Sequence, residues 1–79
     1  MEYDKNKVDE MILALLYLTT FKDGIAFRAW KGLDWDSLDR LHEKGYIGNP
    51  KGKAKSMTLS EEGAKLSEEL FKKNFGSSA

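Results

Sequence analysis

Val8, Met11, Ile12, Leu15, Leu16 and Thr19 recur at the three- and four-residue spacing of a helix buried on one face. Asp4 stands where a cap belongs, and Asp9 and Glu10 lie early enough to favour the positive end of the helix dipole. The spacing predicts a first helix over about residues 5–20. Leu13 and Tyr17 fall outside that face. Four residues apart, they form a second apolar stripe nearly opposite the first.

Lys22-Asp23-Gly24 breaks the pattern. From Ala26 to Lys31, Phe27 and Trp30 stand three apart, which predicts a short helix ended by Gly32. Asp34 then caps a third helix, Trp35 to Lys44, with Leu38 and Leu41 inward and Gly45 supplying the left-handed stop. Tyr46-Ile47 and Ser56-Met57-Thr58-Leu59 are β-compatible, and the eight residues from Gly48 to Lys55 between them are basic and turn-forming. These predict a hairpin with a mobile tip. Ser60 caps a final helix running to about Asn74. The expected architecture is mainly α with a small two-stranded β wing, a single domain over residues 1–75 and a disordered tail over residues 76–79.

That element order is the order of a winged helix-turn-helix. The stretch Leu38-Asp39-Arg40-Leu41-His42-Glu43-Lys44-Gly45-Tyr46-Ile47 resembles the end of the third helix in bacterial transcriptional regulators of the MarR and PadR kind. Leu59-Ser60-Glu61-Glu62-Gly63 resembles the Leu-Thr-Glu-Glu-Gly step that follows their wing. The whole chain is also similar to a family of short bacterial proteins of unknown function. The regulator resemblance implies a third helix lying in the DNA major groove and a wing tip on phosphate. It places Ser37, Arg40 and Lys44 near the groove, together with Asp36, Asp39 and Glu43, and it implies dimerisation through the first and last helices.

Charge complicates that implication. Three acids against two bases meet a polyanion unfavourably, and Arg40 and Lys44 are equally placed for intrahelical pairs with Asp36 and Asp39. Thirteen basic and thirteen acidic residues cancel over the chain, so no global field draws in nucleic acid. Locally, residues 45–55 carry three lysines and no acid, and residues 21–33 carry three bases and one acid. Lys51, Lys53 and Lys55 alternate, so an extended arm would project them to one side. They suit phosphate contact without sequence reading, or the solubilising protection of an edge.

Catalysis and metal binding find little support. There is one histidine, His42, expected at the surface or core boundary, and no cysteine. No nucleophile elbow or phosphate-loop pattern is present, and the acids Asp34, Asp36, Asp39 and Glu43 on a regular helix lack a wrapping loop. The expectation is a protein with no enzymatic activity, no cofactor, no metal and no small-molecule substrate. Trp30, Trp35, Phe27 and Tyr46 could form a base-stacking platform. At this spacing Phe27 and Tyr46 are expected in the core and Trp35 partly exposed. The apolar run from Met11 to Leu18 is far short of the roughly 20 residues that span a bilayer, so no membrane association is expected and the cytoplasm is the default location.

In the last helix Leu66 and Leu70 continue the core, whereas Phe71 and Phe75 lie away from it. A chain this short buries only about 60–65% of its unfolded surface and offers no obvious third layer. The spare stripes Leu13, Tyr17, Phe71 and Phe75 therefore predict the interface of a homodimer, unless both wrap around a thick monomer core. Two functions follow. One is a small regulator-like protein binding double-stranded DNA through Lys51, Lys53, Lys55, Ser37, Arg40 and Lys44. The other is a winged-helix protein–protein interaction module without DNA binding.

Overall fold

Each helix begins on a side chain that accepts one of its orphan N–H groups. Asp4 Oδ1 accepts from the Lys7 N–H at 3.1 Å, Asp34 Oδ2 from the Ser37 N–H at 3.1 Å, and Ser60 Oγ from the Gly63 N–H at 2.9 Å. The computed structural model describes residues 1–32 and 34–77. From these caps run α1 (Lys5–Leu16), α2 (Trp35–Glu43) and α3 (Glu61–Phe75). Helix α1 tightens into a 3-10 turn at Tyr17–Thr19, and the Thr20 hydroxyl donates to the Leu16 carbonyl at 2.7 Å. Helix α2 ends as expected at Gly45, whose φ is +83°, with the Tyr46 N–H closing back on the Leu41 carbonyl at 3.1 Å.

The segment expected as a short helix is a strand. Phe21–Asp23 (β1) and Ala26–Trp30 (β2) form an antiparallel hairpin around the two-residue turn Gly24-Ile25, and Gly24 takes the positive φ of +64° that a tight hairpin requires. Ser56–Leu59 (β3) pairs antiparallel with β2 in the register Phe27 to Leu59 and Trp30 to Ser56. The sheet is therefore three-stranded, in the order β1-β2-β3. Ile47 touches β3 through a single bridge to Leu59, so the expected two-stranded wing exists only as this remnant. Among the described residues no second helix lies between α1 and α2, and the helix-turn-helix pair is absent.

The loop from Gly48 to Lys55 is also not an extended arm. It runs through turns and bends, Pro50 is fully buried, and the Lys31 ammonium donates to the Gly52 carbonyl at 2.8 Å. The alternation that would align its lysines on one side does not apply.

One face of the sheet, carrying Ala29, Met57 and Leu59, closes on Ile12, Leu13 and Leu16 of α1 and Leu38 and Leu41 of α2, with Ile47 completing the core. Helix α3 lies along α1 and adds Ala64, Leu66 and Leu70. With neighbours on several sides, α1 is buried over a wider arc than its periodicity suggests. Leu13 is 1% exposed, whereas Leu15, expected inward, is 37% exposed. At the crossing the buried Ser67 hydroxyl donates to the Leu13 carbonyl at 2.6 Å. Gly63 allows the start of α3 to sit against residue 46: a Cβ there would overlap the Tyr46 carbonyl. At the C-terminus the Gly76 N–H still bonds the Lys72 carbonyl at 3.0 Å. Of the tail expected over residues 76–79, Ser78 and Ala79 lie outside the described residues.

Candidate nucleic-acid interface

The groove-reading residues inferred for α2 are engaged elsewhere. Asp9, on the face of α1 that meets α2, is 1% exposed. It receives Arg40 in a two-pronged contact, Nε to Oδ2 at 2.7 Å and an Nη to Oδ1 at 2.9 Å. The Lys44 ammonium lies 3.7 Å from the same carboxylate. Ser37 is fully buried; its Oγ donates to Asp34 at 3.0 Å and accepts from Arg40 at 3.1 Å. Burial alone would push the Asp9 pKa up. The hydrogen bonds of Arg40, with the charges of Arg40 and Lys44, outweigh burial and hold it below the ordinary carboxylate range. Asp9 thus ties α1 to α2 and is no helix-dipole residue. Of the α2 candidates, Ser37 is inaccessible and Arg40 is held in a fork, so the pairing partner is Asp9 on another helix and not Asp36. Of the three, Lys44 is the most accessible, with its side chain 40% exposed against 25% for Arg40.

The loop cations stand differently. Lys51, Lys53 and Lys55 are all exposed. Among the described residues, neither these three nor Lys22, Arg28 or Lys31 has a carboxylate within 4.0 Å, whereas Arg40, Lys44, Lys72 and Lys7 each have one. Lys22 lies opposite Phe27 on the core side of the sheet, whereas hydrogen bonds tie Arg28 and Lys31 to the loop and its junction with β3. The Lys31 N–H donates to the Lys55 carbonyl at 3.0 Å, and its ammonium reaches Gly52. Arg28 donates from Nε to Ser56 Oγ at 2.8 Å and from an Nη to the Ser56 carbonyl at 2.9 Å. The strands and the loop therefore present one cationic region, assembled from segments about 25 residues apart in sequence.

Of the aromatic residues weighed as a platform, Phe27 is 37% exposed at the rim of the inner sheet face, and Tyr46 is half-buried. Trp35 is 53% exposed beside its cap, as expected, and Trp30 is 51% exposed. Phe21 was not anticipated: its ring lies 5.2 Å from that of Trp30 across the hairpin. The signal was present in the alternation of Ala26, Arg28 and Trp30, which shares one strand face once the segment is extended.

The stripe expected at a dimer interface divides. Leu13 is core, which removes it from any surface. Tyr17, Phe71 and Phe75 form a ladder of rings with centroids 5.1 and 5.4 Å apart, running from half-buried Phe71 to Phe75 at 49% exposure. His42 lies at the surface, its Nδ1 3.0 Å from the Ile47 carbonyl oxygen. Among the described residues, no three His, Cys, Asp or Glu side chains gather to hold a metal ion, and no helix is long and apolar enough to cross a membrane.

Compared with known proteins, the chain is 49% identical over 75 residues to a protein of Sinorhizobium fredii (strain NBRC 101917 / NGR234) named "Uncharacterized protein y4hR". The alignment covers 95% of this chain and 97% of that relative. No solved structure matches. The family described as "Domain of unknown function (DUF6429)" matches residues 4–77, and the chain belongs to it.

Proposed function

We propose that this protein is a small nucleic-acid-binding domain that grips phosphate through the loop from Gly48 to Lys55 and the adjoining strands, without a recognition helix in the groove and without a catalytic step. One observation carries the reading: five cations, Arg28, Lys31, Lys51, Lys53 and Lys55, collect around β2 and the loop with no carboxylate partner among the described residues. Desolvated or paired cations have their field spent, whereas this group retains it. The acids of α2 remain on the opposite count, which fits phosphate contact and disfavours sequence reading through α2.

The test is fluorescence anisotropy of labelled nucleic acid at two or more salt concentrations. Each phosphate contact releases about one counterion, so replacing Lys51, Lys53 and Lys55 together by alanine flattens the log–log salt slope by about 2–3 units. A slope unchanged by the triple substitution places the binding surface elsewhere.

A second reading, a protein–protein interaction module that pairs with a second copy of itself, rests on the Tyr17–Phe71–Phe75 ladder. Partly exposed rings tilted against one another at the end of two packed helices suit an isologous contact. The two readings are compatible, since the ladder lies on the helices and the cations lie on the sheet and loop.

A further inference from the structure

The hairpin and β3 give the sheet a second face that carries none of the core residues. Strand alternation and register put Phe21, Arg28, Trp30, Ser56 and Thr58 there, opposite to Ala29, Met57 and Leu59. Phe21 and Trp30 are diagonal neighbours in contact at 5.2 Å, and Trp30 is 51% exposed although a large aromatic is the costliest residue to leave in water. Arg28 sits directly opposite Phe21 in the register, and its two bonds to Ser56 restrict its guanidinium beside the rings. Ser56, the register partner of Trp30, is also where the cationic loop joins β3, so Lys55 and Lys53 border the aromatic pair along the chain. Asp23 is the one acid on this face, and it lies at the far end of the hairpin, by the turn.

We propose that this outer face is a stacking platform for a single-stranded nucleic acid, with bases laid on Phe21 and Trp30 and the backbone held by Arg28, Lys31 and the loop lysines. The inference rests on the phosphate-binding reading and narrows it. In a duplex the bases are already stacked and paired, and their faces are hidden. The exposed Trp30 ring backed by the half-buried Phe21, beside cations with no carboxylate partner, serves a strand whose bases are free. Stacking tolerates any base, which agrees with the lack of an available groove-reading helix. The charge supports this occupant over an apolar peptide: the border of the platform is cationic on the loop side, and a peptide partner would need acids there.

The experiment uses the full chain with Trp35→Phe, which leaves Trp30 as the only tryptophan. It is titrated at low salt with oligodeoxythymidine and oligouridine of about 12 nucleotides, within the usual site size, and with a duplex of equal length. The expected results are quenching of Trp30 emission by both single strands, tighter binding of single strand than of duplex, and, by anisotropy of labelled probes, a roughly ten- to hundred-fold loss of single-strand affinity in Trp30→Ala with duplex affinity unchanged. Trp30→Leu, which keeps apolar bulk for the strand, should show the same loss if the alanine variant folds poorly. Single-strand binding with unchanged Trp30 emission and no loss in Trp30→Leu overturns the platform while leaving phosphate binding intact. Absence of binding to any of the three probes overturns both.

Discussion

A carboxylate that is 1% exposed and still ionised is held by its partners. For Asp9 those are the Arg40 fork and the Lys44 ammonium. Its pKa lies below the ordinary value in the folded protein, so the ionised form stabilises the fold at neutral pH. That contribution is present in full above the unfolded carboxylate pKa, about 3.9, and is lost as pH falls through the lowered folded value. Replacing Asp9 by asparagine should cost about 1.5–3 kcal/mol at neutral pH, the range for hydrogen bonds to a charged group. The gap between the two proteins in urea denaturation should narrow as pH drops below about 4. A gap that stays constant to lower pH would show that Asp9 contributes by shape and not by charge. The residue also shows how α2 came to look like a recognition helix. The helix pattern places Arg40 and Lys44 on the polar side, but periodicity does not reveal that α1 lies across that side with a buried acid.

Elements with their own punctuation were legible. The caps Asp4, Asp34 and Ser60 and the stop at Gly45 are local chemistry, written within a few residues of where they act. The hairpin is hidden because Phe27 and Trp30 match a helix by spacing, while Gly24 at the first position of a two-residue turn, followed by an alternating run, is itself a hairpin signal. Extended pairing wins because β2 gains ladders on both sides, to β1 and to β3, and the second partner is some 30 residues away. The candidate site suffered likewise: the loop lysines are visible in sequence, whereas Phe21 joins Trp30 only once the hairpin is known. Gly63 in the Ser-Glu-Glu-Gly step gains a physical meaning from the same long-range packing. Alanine there should destabilise by about 1–3 kcal/mol, because the new methyl must displace the Tyr46 backbone or tilt α3. Gly52→Ala is the control, since its Cβ would lie 3.8 Å from the Asn49 carbonyl, an ordinary contact. Equal midpoints for the two variants in urea would show that α3 is not held that closely.

Across the whole molecule the helices lie against one face of the sheet, within principal extents of 36 × 34 × 19 Å. Two surfaces remain available: the outer sheet face with its cations, and the aromatic ladder at the end of α1 and α3. Phe75, at 49% exposure, makes no contribution to the core cluster, so Phe75→Asp should leave folding intact while abolishing self-association through the ladder. Mass by light scattering at high micromolar concentration checks this, with a wild-type dimer and a monomeric variant expected. A wild type that remains monomeric removes the interaction-module reading and leaves the cationic face untouched.

The packing of α1 on α3 has one more consequence. Helix α1 ends at Leu16 and α3 begins at Glu61, and the contact that joins them, the Ser67 hydroxyl on the Leu13 carbonyl, spans 54 residues of sequence. A nascent chain that has exposed α1 and the hairpin still lacks the surface that covers them. Helix α1 then keeps the side that meets α3 open to water until α3 itself has emerged from the ribosome.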